Sequence, residues 1–270
     1  STINRKNVPE KRGNVMIDIH SHILAGIDDG VGSVDESIEM AKIAVQEGIT
    51  TIFATPHHIY GKYETDKYDI IDKVNELNKV LEKKNIPLQV LPGQEVRIHS
   101  NLLEDYRMKK IATLNNHQRY ILVELPDDHV PLYTEQLLYD IQCEGLTPII
   151  VHPERQREFM ENPFLLYNFV KKGALTQITA ASVVGSNNRK IKRFTHQIIE
   201  ANLTHFIASD AHNKSNRNFR MKDAYSLIRS KYGEGMVKLF QSNAELLLQD
   251  QFVHKEMPDR VKKKKLLGIL

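Results

Sequence analysis

One cysteine in 270 residues, Cys143, removes several chemistries at once. A lone thiol makes no intramolecular disulfide and suits a reducing compartment such as the cytoplasm. Cysteine-rich zinc modules and thiolate-held Fe–S clusters are excluded for the same reason. Cysteine-dependent hydrolysis of a phosphate ester needs an Arg six positions after the nucleophile to cradle the phosphate, and Ile149 stands there. Cys143 therefore reads as a buried helix residue. The chain also lacks an apolar run of membrane-spanning length, and no basic n-region leads into an apolar h-region. It has no Gly-rich phosphate loop ending in Lys-Ser or Lys-Thr and no Gly-x-Ser-x-Gly elbow. Its net charge of +3 gives no general case for nucleic acid, which needs a concentrated basic face. The expectation is a soluble, cytoplasmic protein.

What remains is ordinary in amount, since 41% hydrophobic residues suffice for a globular core. Helical and strand patterns alternate along it. Ser33 and Glu36 have capping-box spacing and open a helix to about residue 47, with Ile38, Ala41 and Val45 on one face and Gly48 as its stop. Over 66–84, Ile70, Val74, Leu77 and Leu81 mark an amphipathic helix that ends before Pro87. Further helices are expected near 133–144, 163–172, 190–201 and 221–232, with a short last one near 243–249. Strand-like runs begin at Val15, Thr51, Leu88, Tyr120, Thr147, Leu175 and His205, most of them separated by a helix, as right-handed parallel crossovers require. No repeat, low-complexity stretch or linker interrupts 16–251, which is expected to be one domain. Residues 1–15 read as an N-terminal extension or fusion remnant, with Met16 a natural start. Residues 252–270 read as a basic tail containing Lys262 to Lys265. That tail is either a solvated, frayed end or a weak contact for an acidic membrane surface or a membrane-bound partner.

The strand ends carry the chemistry. Asp18-Ile19-His20-Ser21-His22 closes the first run, and residues two apart on a strand share a face, so His20 and His22 aim at one point. Thr55-Pro56-His57-His58 follows the second run, Glu95 the third and Glu124 the fourth. His152-Pro153-Glu154-Arg155 follows the fifth, and Ser209-Asp210-Ala211-His212 the last. An open doubly wound sheet draws on few strands at one switch point. Six donor-bearing ends meet only if the sheet closes, at the C-terminal mouth where barrel active sites lie. The expected fold is α/β, a distorted seven-stranded (β/α) barrel.

Imidazole and carboxylate donors without thiolate suit Mn, Fe or Zn. The donors outnumber the needs of one ion, which points to two or three ions sharing a carboxylate. Such a cluster acidifies a bound water and clamps the oxygens of an in-line displacement, so the expected reaction is hydrolysis, most naturally of a phosphate ester. Arg155 and Arg217, beside the His152 and His212 clusters, either grip phosphate oxygens or make surface ion pairs. Asp29, in Asp28-Asp29-Gly30, either adds an oxygen to the site or belongs to a solvated turn; the rest of a calcium loop is missing.

These motifs resemble the PHP (polymerase and histidinol phosphatase) family. Within it they are most similar to the manganese-dependent tyrosine-protein phosphatases of the CpsB/CapC/YwqE type, from Gram-positive capsule and exopolysaccharide operons. The likeness rests on Met16-Ile17-Asp18-Ile19-His20-Ser21-His22-Ile23 with Asp28-Asp29-Gly30, on Pro92-Gly93-Gln94-Glu95, on His152-Pro153-Glu154-Arg155 and on Ala208-Ser209-Asp210-Ala211-His212-Asn213. It covers Met16 to about Gln251. The resemblance implies a PHP-type barrel with two or three Mn²⁺ ions, Fe or Zn being alternatives. It implies one ion on His20, His22, Glu95 and Asp210, a second on Glu95, Glu124 and His152, and a third on Asp29, His57 and His212, with Arg155 and Arg217 on the substrate phosphate. The implied substrate and partner are the phosphotyrosine tail of a cognate bacterial tyrosine kinase and that kinase, with no nucleic acid and no stable membrane insertion. A phenolate leaving group, of pKa about 10, needs less protonation than an alkoxide, and no dedicated acid stands out beyond the ligand set. Two readings compete: a phosphatase for a small metabolite such as histidinol phosphate, or a PHP nuclease; and a non-catalytic scaffold that regulates a kinase by binding it.

Overall fold

Two of the seven apolar runs break partway, so nine strands form among the described residues, 16–186 and 188–262, of this computed structural model. They are β1 (Met16–Ser21), β2 (Ile49–Ala54), β3 (His57–His58), β4 (Gln89–Pro92), β5 (Glu95–Arg97), β6 (Tyr120–Glu124), β7 (Thr147–Val151), β8 (Leu175–Thr179) and β9 (Phe206–Ala208). The first break falls at Thr55-Pro56, where proline has no N–H for a ladder. The second falls at Gly93-Gln94. A side chain at Gly93 would meet Leu114 at 2.7 Å and Thr55 at 3.0 Å, so only glycine lets the two broken strands stay close.

All pairs are parallel, in the orders β1-β2-β4 and β3-β5-β6-β7-β8-β9. The breaks are also where the two sheets join. Gly93 N–H donates to Ala54 O at 2.9 Å and Glu95 N–H to Pro56 O at 3.0 Å. The circle closes between first and last strands, with Asp210 N–H donating to His20 O at 2.9 Å and His22 N–H to Ala211 O at 2.8 Å. The seven-staved, distorted barrel expected from the sequence is the fold.

Register and packing then separate wall from interior. Tyr120 and Leu122 of β6, Ile149 and Val151 of β7, Leu175 of β8 and Phe206 and Ala208 of β9 pack in one inner cluster with Ile17, Ile19 and Phe53. Their neighbours Ile121, Val123, Ile150, Ile178 and Ile207 pack with the surrounding helices. Each Val, Leu, Ile or Phe side chain among them, once buried, contributes about 1.5–3 kcal/mol. The ladder of β1 shifts register between Asp18 and Ser21, an irregularity that lets Ile19 join the inner cluster while His20 and His22 face the mouth. Ala244, Leu247 and Val253 close the opposite end.

The helices follow their end signals. Helix Val34–Glu47 has its complete Ser33/Glu36 capping box, and Gly48 ends it in the left-handed region at φ 90°. Helix Lys67–Lys83 is capped by Asp66. Some expectations need correction. The last helix runs over Glu234–Leu248, more than twice the expected stretch. Short helices at Leu102–Arg107, Arg157–Glu161 and Ala180–Val184 were not expected. Cys143 does end a helix, Thr134–Cys143, but it is exposed, because Leu137, Leu138 and Ile141 form that helix's buried face and Cys143 lies off it. Of the tail, 252–262 are described and run along the barrel's closed end, with His254 N–H on Asn243 Oδ1 at 2.8 Å and Asp259 N–H on Ala201 O at 2.8 Å. The 1–15 extension and Lys263 to Lys265 lie outside the described residues. Among the described residues no helix is long and apolar enough to cross a membrane.

Candidate metal centre

Closing the barrel brings the strand-end donors to its C-terminal mouth, and hydrogen bonds behind them fix which ring nitrogen faces in. His20 Nδ1–H donates to Gln177 Oε1 at 2.9 Å, His22 Nδ1–H to Asp28 Oδ2 at 2.6 Å and His212 Nδ1–H to the carbonyl of Asp210 at 2.9 Å. All three acceptors are oxygens without a proton to give, so each imidazole keeps its Nε2 lone pair free. Two of the inward-facing residues adopt the left-handed region, His152 at φ 35° and Asp210 at φ 52°. Such strain in non-glycine residues persists only where the surroundings impose it, and here it aims both side chains at the mouth.

The convergence is tight. His20 Nε2 and His22 Nε2 stand 3.3 Å apart, each lies 3.3 Å from Glu95 Oε2, and each lies 3.4 Å from Asp210 Oδ1. Four donors with edges of that length leave a hole about 2 Å from each, the usual bond length to a first-row divalent ion. The other Glu95 oxygen, Oε1, lies 2.8 Å from His152 Nε2, which is 3.8 Å from Glu124 Oε1. His57 offers both ring nitrogens: Nδ1 is 2.9 Å from Glu95 Oε2 and 3.6 Å from Glu124 Oε2, and Nε2 is 3.3 Å from Asp29 Oδ1. His212 Nε2 is also 3.3 Å from Asp29 Oδ1. Glu95 thus sits at the hub, and all nine residues singled out as ligands by their motifs stand at one mouth.

Whether this cluster suits cations is tested by its unpaired atoms. His57 Nδ1, Glu95 Oε2 and His212 Nε2 are buried without a hydrogen bond. Leaving three polar atoms unpaired would be costly in a site meant to stay empty. The charges agree. Burial should raise the Glu95 carboxyl, but His20 and His57 outweigh it and hold it well below its ordinary range. Burial likewise opposes the imidazolium of His57, yet Glu95 and Asp29 push its pKa up to about 10. The His212 and His57 rings, each with Nε2 3.3 Å from Asp29 Oδ1, lower Asp29. Glu95 and Asp29 stay ionised and draw positive charge into the holes between the donors. The residues present fit two or three divalent ions.

The arginines stand beside these carboxylates. Arg155 Nη2 donates to Asp210 Oδ2 at 2.6 Å, and Arg217 Nη1 lies 3.3 Å from Asp29 Oδ2. Both guanidiniums therefore reach the rim of the cluster, and Arg217 is 41% exposed. Asp29 is a rim carboxylate facing two histidines, not a solvated turn.

Sequence reasoning misses the residues behind the donors. Asp28 falls with the incomplete calcium loop, although a second acid beside Asp29 is the available signal. Gln177 is readable as the one amide in the buried run of β8. Arg97, whose Nε donates to Glu124 Oε2 at 2.8 Å, follows Glu95 by two residues and so shares its side of β5. Asp18 faces away from the donors and accepts from Ser209 N–H at 2.9 Å and Ser209 Oγ–H at 2.5 Å, which pins the motif on β9 to the motif on β1.

Comparison with known proteins agrees with this arrangement. The chain is 48% identical over 253 residues to the tyrosine-protein phosphatase YwqE of Bacillus subtilis (strain 168), covering 94% of this chain and 99% of that one. It is 40% identical over 256 residues to the putative tyrosine-protein phosphatase CapC of Staphylococcus aureus, covering 94% of this chain and all of that one. A crystal structure from work on YwqE of Bacillus subtilis and CpsB of Streptococcus pneumoniae, described as metal-dependent tyrosine phosphatases, superposes with a TM-score of 0.89 at 48% identity, over 92% of this chain and 100% of that one. The family described as capsular polysaccharide synthesis, CpsB/CapC, matches residues 16–249, and this chain belongs to it.

Proposed function

We propose that the protein is a metal-dependent protein-tyrosine phosphatase that removes phosphate from the tyrosine-rich tail of a cognate bacterial tyrosine kinase, in capsular polysaccharide synthesis. The observation that carries this reading is the Glu95-centred cluster of imidazoles and carboxylates, with two arginines at its rim, in a chain of the CpsB/CapC family. His20, His22, Glu95 and Asp210 hold one ion; Glu95, Glu124 and His152 a second; Asp29, His57 and His212 a third. The ion is Mn²⁺, with Fe or Zn as the alternatives the donor set also accommodates. Bound there, divalent ions supply Lewis-acid polarisation of phosphoryl oxygens and acidify water at neutral pH.

The chain's own residues do the rest. Arg155 donates to Asp210 Oδ2 and Arg217 to Asp29 Oδ2, with Arg217 Nη2 3.9 Å from Asp210 Oδ2, and further N–H groups of both forks are available for phosphate. Gln177 and Asp28 keep His20 and His22 in the tautomer that presents Nε2. A disordered tail enters a barrel mouth more readily than a folded surface does, and it binds with modest affinity because it must be ordered on binding.

The test is chelation followed by readdition of Mn²⁺, Fe²⁺ or Zn²⁺, with turnover measured on the kinase tail peptide, its phosphoserine version, and histidinol phosphate. Loss and recovery of phosphotyrosine hydrolysis is expected, with the phosphotyrosine peptide the best substrate. Full activity in protein shown by elemental analysis to be metal-free would refute the metalloenzyme. Faster turnover of histidinol phosphate would replace the protein substrate with a metabolite.

A further inference from the structure

His57 and His58 are neighbours on β3, and a strand turns neighbouring side chains to opposite faces. His57 faces the metal centre. His58 is buried on the other side, where its ring lies 6.0 Å from that of His99, just beyond β5. Asp105, on the helix Leu102–Arg107, completes a group in which one nitrogen of each histidine and one carboxylate oxygen lie within 4.8 Å of one another. His99 Nε2 is buried and has no hydrogen-bond partner. It stands 3.8 Å from Asp105 Oδ2, too far for a hydrogen bond. Two donors on one tetrahedral ion stand about 3.3 Å apart, so a small closing of this gap brings both within reach of a cation.

We propose that His58, His99 and Asp105 form a Zn²⁺ site separate from the metal centre, with water in the fourth position. Two imidazoles and a carboxylate are a donor set that Zn²⁺ favours, and three protein ligands leave one position open. Lys110 competes with an ion for the carboxylate, since its Nζ lies 3.0 Å from Asp105 Oδ1. It occupies one oxygen and leaves Oδ2, the one facing His99, available. Its side chain is 52% exposed and can swing away.

The ion would act as a clamp. It would tie β3 to the segment after β5 and to the helix bearing Asp105. The Tyr60 ring lies over His99 at 6.4 Å, Ile59 bridges to Tyr63, and the Tyr63 ring stacks on His57 at 6.0 Å. The turn that carries Tyr63 over the metal centre is therefore braced from behind by the same residues.

The test counts ions and does not read phosphatase activity, so it is independent of the proposed reaction. The full chain is stripped with chelator, loaded with Zn²⁺, freed of excess metal and analysed for zinc per chain. H99A and D105N should each hold one equivalent fewer than wild type, whereas H22A, altered at the main centre, should keep the equivalent that they lose. K110A should keep wild-type stoichiometry and, in competition with a chromogenic chelator, bind its weakest ion several-fold more tightly. Wild-type zinc content in both H99A and D105N, or looser binding in K110A, overturns the proposal.

Discussion

Asp28→Asn should damage the proposed phosphatase more than its distance from substrate suggests. Asp28 accepts three hydrogen bonds with two oxygens: His22 Nδ1–H at 2.6 Å and His57 N–H at 3.0 Å on Oδ2, and Gly30 N–H at 2.9 Å on Oδ1. An asparagine has one acceptor oxygen and one NH₂ group. Whichever way it turns, a donor faces a donor, either at Gly30 or at both His22 and His57. Losing a hydrogen bond to a charged partner costs about 1.5–3 kcal/mol. The carboxylate's contribution to the basicity of His22 is lost as well, and outer-shell substitutions of this kind typically reduce metal affinity or activity about 10–100-fold. The assay is a Mn²⁺ titration of phosphotyrosine-peptide hydrolysis with chelated, refilled enzyme. The metal concentration for half-activation should rise about 10–100-fold, with much of kcat regained at saturating metal, because the ligands themselves remain. Wild-type metal dependence in a folded Asp28→Asn variant would show that Asp28 does not orient His22 and would refute the reasoning.

Other perturbations follow from the same geometry. Arg217→Ala should lower kcat/KM about 10–100-fold through one lost charge-assisted contact and weaken inhibition by free phosphate; unchanged phosphate inhibition would return Arg217 to a surface ion pair with Asp29. Gly30→Ala places a methyl into His22, 2.7 Å from its Cβ, and should cost about 1–3 kcal/mol by overpacking, read as a lower urea midpoint, while an unchanged midpoint would mean the loop yields freely. Burial pushes His205 down to about 3, and its Nδ1 accepts Thr176 N–H at 3.1 Å, so the folded state keeps it neutral. Its unfolded pKa is about 6.5. Below that the unfolded chain binds the proton first, so this contribution to stability is complete above about pH 6.5 and declines toward pH 3, by roughly 1.5 kcal/mol between pH 6.5 and 5. His205→Gln should therefore lose less stability than wild type over that interval at equal metal loading, and parallel pH profiles would contradict this.

The parts of this molecule legible in its sequence are those with a period or a cap. The Ile70, Val74, Leu77, Leu81 series and the Ser33/Glu36 box mark their helices to within a residue or two. The strand-end histidines point to a closed sheet because only closure gives them a common target. The breaks at Thr55-Pro56 and Gly93-Gln94 are hidden by the apolar runs around them, although proline and glycine mark both. Helix Glu234–Leu248 reads short in sequence because Gly235 and a polar stretch at Gln241-Ser242-Asn243 weaken its period, whereas packing of Val237 and Phe240 extends it. Cys143 is misread as buried because a lone thiol says little about which helix face it occupies. Gln177 and Asp28 escape notice because a residue that supports a ligand has no spacing rule of its own; its partner is set only when distant strands meet.

The contact between Asp18 and Ser209, which spans 191 positions, also bears on the order in which the chain acquires its shape. Until β9 arrives, one edge of β1 presents open backbone groups, the kind of edge that pairs with other chains. Joining ends so far apart requires closing a very long loop, and folds dominated by such pairings form slowly. The four donors around the first proposed ion include His20 near the beginning and Asp210 near the end of the chain. Tight metal capture therefore belongs to the last stage of folding. Metal present during refolding should stabilise the finished barrel and slow its unfolding, while doing little to speed the steps that come before β1 and β9 meet.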